Sequence, residues 1–185
     1  MDHTEIEKVL KFWIDEVGPD GWYNSSPEMD TLIAREFGGL HALAAAKMLP
    51  EWTTQPRSAL AILILLDQFS RNIYRGQPDA FANDAYALSI AKGAIARGLD
   101  RRIPEPERQF FYLPLMHSEK LADQEQCLRL FLMNCPETGA ENVEHAIKHR
   151  EVIRKFGRFP SRNGVLGRTD SDAEQAYRDA DGYMS

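Results

Sequence analysis

Apolar residues recur at helical spacing from the start of the chain: Ile6, Val9, Leu10, Trp13, Ile14 and Val17 fall on one face of a helix. Thr4 and Glu7 have capping-box spacing ahead of this run, and Gly18-Pro19 is expected to stop it. A second helix is predicted from Ser26, with Pro27 at its first position, Glu28 and Asp30 in its first turn, and Met29, Ile33 and Phe37 on one face. Gly38-Gly39 is expected to kink or split it before Leu40 to Leu49. Ala59 to Leu66 is apolar throughout, which suits a buried strand or an all-round-buried helix. The continuation through Asp67, Gln68, Phe69, Arg71 and Asn72 without turn residues favours the helix, ending near Arg75-Gly76.

Further along, Asp79 or Asn83 can cap an Ala-rich helix that runs through Tyr86, Leu88, Ile90 and Ile95 to Gly98. Pro104 and Pro106 mark the next start. Pro114 interrupts the Phe110 to Met116 stretch, predicting a short helix, a kink, and a helix from about Ser118 to Met133. Another helix is expected from Ala140 to Phe156, and Ser171 with Glu174 caps a short last one after the Arg158 to Arg168 loop. No stretch alternates apolar and polar residues convincingly. The pattern therefore predicts a single all-α domain over residues 1–185, with about seven or eight helices packed as antiparallel hairpins in a tetratricopeptide-repeat-like array.

Composition narrows the possible partners. The 185 residues are 43% hydrophobic and 27% charged, enough for one sizeable core, and the formal net charge of −6 argues against a broad nucleic-acid surface. The longest pure apolar run, Ala59 to Leu66, is far short of the roughly 20 residues that span a bilayer, so no membrane partner is expected. An acidic opening with Asp2, Glu5 and Glu7 has no basic flank or apolar stretch of a signal peptide, giving a cytoplasmic expectation under which the Asn24-Ser25-Ser26 glycosylation pattern has no role. Charge is unevenly spread: Arg150, Arg154, Lys155, Arg158, Arg162 and Arg168 meet only Glu151 between positions 150 and 168. Such a segment suits an anionic ligand or carboxylates from elsewhere in the chain.

Three groups of residues are candidates for chemistry. Asp67 and Gln68 interrupt the most apolar helix, where a carboxylate needs a partner; Arg71 is four residues on, Arg75 a further turn, and Gln68 and Asn72 repeat the spacing. His117, Glu119, Asp123 and Gln124 follow the Pro114 kink, where a freed carbonyl and an imidazole near a carboxylate suit acid–base work or, equally, capping. Arg158, Arg162, Asn163 and Arg168 lie in a glycine-bearing loop whose forked donors fit a carboxylate or phosphate ligand, or the chain's own acids. His145 and His149 are four apart but lack the Glu of a His-Glu-x-x-His site, Cys127 and Cys135 have no zinc spacing, and no phosphate-loop, dinucleotide or nucleophile-elbow pattern occurs. No metal site is predicted, and no cofactor is assigned.

Four stretches together carry a family resemblance: Val9 to Trp13, Leu65 to Gly76 with its Asp-Gln-Phe-Ser-Arg-Asn core, Phe110 to Glu119 with Asp123-Gln124, and Phe156 to Asn163 through Leu166-Gly167-Arg168. On these residues the chain resembles domain of unknown function 924, a bacterial and plant family. The resemblance implies a tetratricopeptide-like helical fold and supplies no reaction. Ser161 stands where members often carry His, so a mechanism needing a base at that position is not expected here.

Three functions follow as expectations. The first is a concave site lined by Asp67, Gln68, Arg71, Asn72, His117, Glu119, His149, Arg158, Arg162 and Asn163 that binds an anionic small molecule. The second is an interaction module that holds a partner's peptide or acidic tail. The third is an enzyme with His117 or His149 as general base. Oligomeric state has no signature in the chain.

Overall fold

The computed structural model describes residues 3–24, 26–180 and 182; Asp2 of the acidic opening and Ser25 of the glycosylation pattern lie outside them. The described residues form eight helices and no strand. Helix α1 spans 3–21, α-helical over His3–Leu10, π-helical over Lys11–Val17 and α-helical again over Gly18–Gly21. Thr4 thus lies inside the helix rather than capping it, whereas at Gly18 the backbone leaves helical geometry (φ 65°, ψ 179°), the interruption expected there, before Pro19 opens the short last α-helical turn. Helix α2 (Pro27–Ala45) starts as predicted, with Ser26 Oγ accepting the Met29 amide. Gly38-Gly39 does not split it, and it ends at Ala45 rather than Leu49.

Helix α3 is the axis of the fold. It covers 56–73 in three segments, Pro56–Leu63, a π-helical Ile64–Phe69, and Ser70–Ile73. Every residue from Ser58 to Ser70 is buried, so no face is left for solvent. Against it pack α1, α2 and α4 (Asp84–Ala96). Phe69 brings three of these elements together: its ring is 5.3 Å from Trp13, 5.0 Å from Phe37 and 6.1 Å from Phe12, edge-on or tilted. Burying each such ring is worth about 1.5–3 kcal/mol. Burial of the surrounding elements supplies more of the helical stability than the propensity of any one segment.

The chain then turns through short helical pieces at Asp100–Arg102 and Glu107–Phe111 into α5 (Leu113–Met116), which carries Pro114. Helices α6 (Leu121–Asn134) and α7 (Ala140–Phe156) pack along each other, and Gly157 ends α7 in the left-handed region at φ 71°, which a side chain would resist. A turn at Pro160–Arg162 leads to α8 (Asp172–Asp179), which Ser171 and Glu174 close with the predicted capping box. The second half of the chain thereby lies across the end of α3 that bears Asp67. No helix of the described residues is long and apolar enough to cross a membrane.

Candidate functional site

The π-helical segment of α3 places Asp67 and Gln68 inside the protein, with Asp67 1% exposed. Gaining a residue per turn changes which side chains face inward, and such segments recur at functional sites. Gln68 Nε2 donates to Asp67 Oδ2 at 2.6 Å, while Arg71 Nη1 donates to the Asp67 carbonyl at 2.7 Å and lies 3.4 Å from Oδ1. The other partner arrives from the end of α5: His117 Nδ1 is 2.7 Å from Asp67 Oδ1.

The protonation of this pair follows from its surroundings. Burial favours the neutral acid at Asp67, but the charges of His117 and Arg71 and the donors from His117 and Gln68 outweigh it and hold the carboxyl well below its ordinary value. Burial and the Arg71 cation push His117 below the ordinary imidazole value, against the opposing pull of Asp67. At neutral pH the carboxylate is therefore charged and the imidazole neutral, so Nδ1 carries the hydrogen donated to Asp67. Nε2 is left with its lone pair outward.

That ring faces open space on both sides. A cavity of about 560 Å³ is lined by His117, Ser118, Glu119, Lys120 and Arg162 together with Phe81, Ala82, Asp84, Ala85 and Leu88. A smaller one of about 180 Å³ touches His117 from the side of Tyr23, Gln68, Asn72 and Arg75.

Arg162 is the cationic wall of the larger cavity. Its guanidinium is held between two aromatic rings, 4.7 Å from the centre of Phe81 and 4.5 Å from that of Phe159, an arrangement that fixes its plane. Nη1 donates to Asp84 Oδ2 at 3.2 Å, whereas the buried Nε has no hydrogen-bond partner. Asp84 is shared, because Arg71 donates to it through Nη1 at 3.1 Å and Nη2 at 3.2 Å. Burial and the neighbouring Arg71 charge push Arg162 down to about 10. A cation in that condition is one an anion would stabilise.

The Arg158 to Arg168 loop is closed onto the site by Glu119. Arg168 grips its carboxylate with two bonds of 2.8 and 2.9 Å, and the Phe159 amide donates to Oε1 at 2.8 Å. His149, on α7, stacks edge-on against Phe159 at 5.4 Å and sits with its ring 6.4 Å from that of His117. Its Nδ1 lies 2.8 Å from the His145 carbonyl, and burial pushes the imidazole down to about 3.

Asp67, Gln68, Arg71, His117, Glu119, His149, Arg162 and Arg168 thus come together. The remaining predicted positions engage elsewhere. Asp123 pairs with Lys92 and accepts from Ser118 Oγ, and Gln124 Nε2 donates to the Met116 and Ser118 carbonyls at 2.6 and 2.7 Å, satisfying the backbone beyond Pro114. Asn72 and Arg75 both reach Asp30 on α2, Arg158 binds Glu174, and buried Asn163 donates to Asp170. Asp84 and the rings of Phe81 and Phe159 are members of the site that sequence reasoning did not single out as such. Among the described residues no group of three or more His, Cys, Asp or Glu side chains is gathered for a metal ion.

Comparison with known proteins matches residues 9–182 to the family model described as bacterial protein of unknown function (DUF924). The chain is also similar to the solved structure of ATU0120, a protein of unknown function from Agrobacterium tumefaciens. Identity is 37%, the TM-score is 0.88, and the match covers 95% of this chain and 97% of that one. No curated protein matches.

Proposed function

The chain belongs to the DUF924 family of bacterial proteins of unknown function, and we propose that it is an enzyme acting by general-base catalysis on a small, negatively charged substrate. His117 Nε2 removes the proton, Asp67 orients the ring and stabilises the imidazolium that forms, and Arg162 anchors the substrate's anionic group. The observation that supports this most is the hydrogen bond between His117 Nδ1 and the ionised Asp67, made beside a cavity that Arg162 also lines. A neutral imidazole aligned by a buried carboxylate is suited to accept a proton, and such a base contributes typically 10²–10⁴-fold to rate, roughly as positioned acid–base groups do elsewhere.

We read the helices as a tetratricopeptide-like array, with this site between the π-helical segment of α3 and the Arg158 to Arg168 loop. His149 serves as packing beside the base, since its imidazole is pushed down to about 3 and gives its Nδ1 to the backbone. A peptide-holding role has less behind it, because the polar residues gather around His117 and Arg162 rather than along the length of a helix.

The test is a panel of small carboxylate esters, amides and acids with exchangeable α-protons, assayed on the native protein and on His117→Gln. Turnover is expected in the native protein and lost in the variant, with the far-UV circular dichroism of the two unchanged. Turnover that survives His117→Gln overturns the proposal.

A further inference from the structure

The larger cavity has two unlike walls, and the difference identifies what it takes. One side comes from the Pro78–Phe81 turn and the first turns of α4, and it presents Phe81, Ala82, Ala85 and Leu88 around the single carboxylate of Asp84, with Leu166 completing it. The facing wall carries the Arg162 guanidinium and the His117 imidazole. A ligand that used only the polar wall would leave the apolar one in water.

Charge fixes the other half of the ligand. The cations of the cluster are Arg71, Arg162, Arg168 and Lys120, and the carboxylates are Asp67, Asp84 and Glu119. With His117 neutral, four positive charges face three negative ones, so one further negative charge balances the site. A phosphate group, carrying about −1.5 to −2 as an ester at neutral pH, would bring a second charge against Asp84 and Glu119, both of which line the same space. The donors available also favour one small planar acceptor: Arg168 is engaged by Glu119 on two bonds and Arg71 by Asp84 on two, and of the two arginines whose buried Nε has no partner, Arg162 and Arg168, it is Arg162 that lines the cavity.

We infer that the substrate is a monocarboxylic acid with an apolar body, its carboxylate at Arg162 and its hydrocarbon against Phe81, Ala85 and Leu88. This rests on the cavity being the substrate site of the proposed enzyme. The base then stands beside the carbons next to the carboxylate, while the tail extends toward Ala82 and Leu166.

Isothermal titration calorimetry with sodium octanoate, sodium acetate and inorganic phosphate tests this on the native chain. Octanoate is expected to bind one per chain, at least tenfold tighter than either acetate or phosphate, and octanamide, which has the tail without the charge, is expected not to bind. Ala85→Glu, a change at an exposed position of α4, should weaken octanoate at least tenfold by charging the apolar wall, and Arg162→Gln should abolish the heat. Phosphate binding as tightly as octanoate, acetate binding as tightly as octanoate, or unchanged octanoate binding in Ala85→Glu would each overturn the inference. Because the readout is binding, it is separable from the proton-transfer role: octanoate that binds as described beside a turnover indifferent to His117→Gln removes the base and keeps the carboxylate site, and the reverse pattern removes only the carboxylate site.

Discussion

His117 meets Asp67 across fifty residues of chain, Nδ1 to Oδ1 at 2.7 Å, and this bond decides which nitrogen of the imidazole is the base. Exchanging the carboxylate for an amide keeps the volume but removes the charge that selects the Nδ1–H form. Gln68 already donates to the second oxygen, so an amide NH₂ placed there would meet another donor. Asp67→Asn is therefore expected to turn the amide or invert the tautomer, and to lower turnover by a factor on the order of 10⁴, as loss of an orienting carboxylate does in other acid–base sites. Heteronuclear NMR of the imidazole nitrogens checks the cause: an unchanged Nδ1–H tautomer in the variant would refute it.

Gln124 separates structural polar residues from functional ones. Its amide is fully buried and donates to the Met116 and Ser118 carbonyls, which lie at the end of α5 and before α6 has begun. Gln124→Leu keeps most of the volume and leaves those carbonyls without a donor. An expected loss of about 2–3 kcal/mol in urea unfolding follows from the penalty for unsatisfied buried groups, with octanoate affinity of the remaining folded protein unchanged. A stability within error of the native protein would show that water or a shifted backbone replaces the amide.

The two preceding residues show how far sequence alone reaches. The helical class is legible because Ile6 to Val17, Met29 to Phe37 and Ala59 to Leu66 have periods or runs that suit helices and no strand, and all lie in helices. Asp67 and Arg162 are legible as polar interruptions in apolar or basic stretches, since a buried charge must be answered by something. The answer is not legible. Asp84 looks like any acid in the first turn of a helix, yet it bridges Arg71, thirteen residues away, and Arg162, seventy-eight away. Phe81 and Phe159 read as ordinary core aromatics, and only folding puts a guanidinium between them. The π-helical segment is equally hidden, because a spacing of five rather than four leaves no mark where Ala59 to Leu66 is apolar throughout and Asp67-Gln68 follows as a polar break.

Arg168 and Glu119 hold the Arg158 to Arg168 loop over the site. The bidentate pair is part-exposed, and the loop's Phe159 contributes its amide to the same carboxylate and its carbonyl to Arg168. Glu119→Gln keeps a hydrogen-bond acceptor but removes the charge, so about 1–2 kcal/mol of stability is expected to go, as for a charge-assisted bond that is only partly screened. Since Phe159 is one face of the Arg162 sandwich, the same substitution should weaken octanoate severalfold. Equal octanoate affinity in the native and Glu119→Gln proteins would mean that the loop stays in place without the pair.

Acid should unfold the protein through its buried imidazoles before its carboxylates are titrated. His149 is pushed down to about 3 by burial, His41, which gives its only bond to Ser70 at 2.8 Å, is lowered by burial alone, and His117 is lowered by burial and Arg71. In the unfolded chain each titrates near 6.5, an ordinary imidazole value as roughly given by model peptides. Above that pH both states are neutral and the full stability is present. Below it the unfolded chain takes up protons that the folded one refuses, so stability falls with pH, by about 1.4 kcal/mol per unit for each such group, and for His149 the loss continues until the pH nears its folded value. The hydrogen-bonded acids act in the same direction but later: Asp30, held low by Arg75, and Glu174, held low by Arg158, begin to lose their contribution only as the pH falls through the ordinary carboxylate range. Urea midpoints are expected to stay level from pH 8 to about pH 6.5 and to fall from there toward pH 5, and that slope should be shallower in His149→Leu, which keeps the contact with Phe159 and has no proton to bind. Identical slopes in the two proteins would show that His149 does not carry the acid sensitivity.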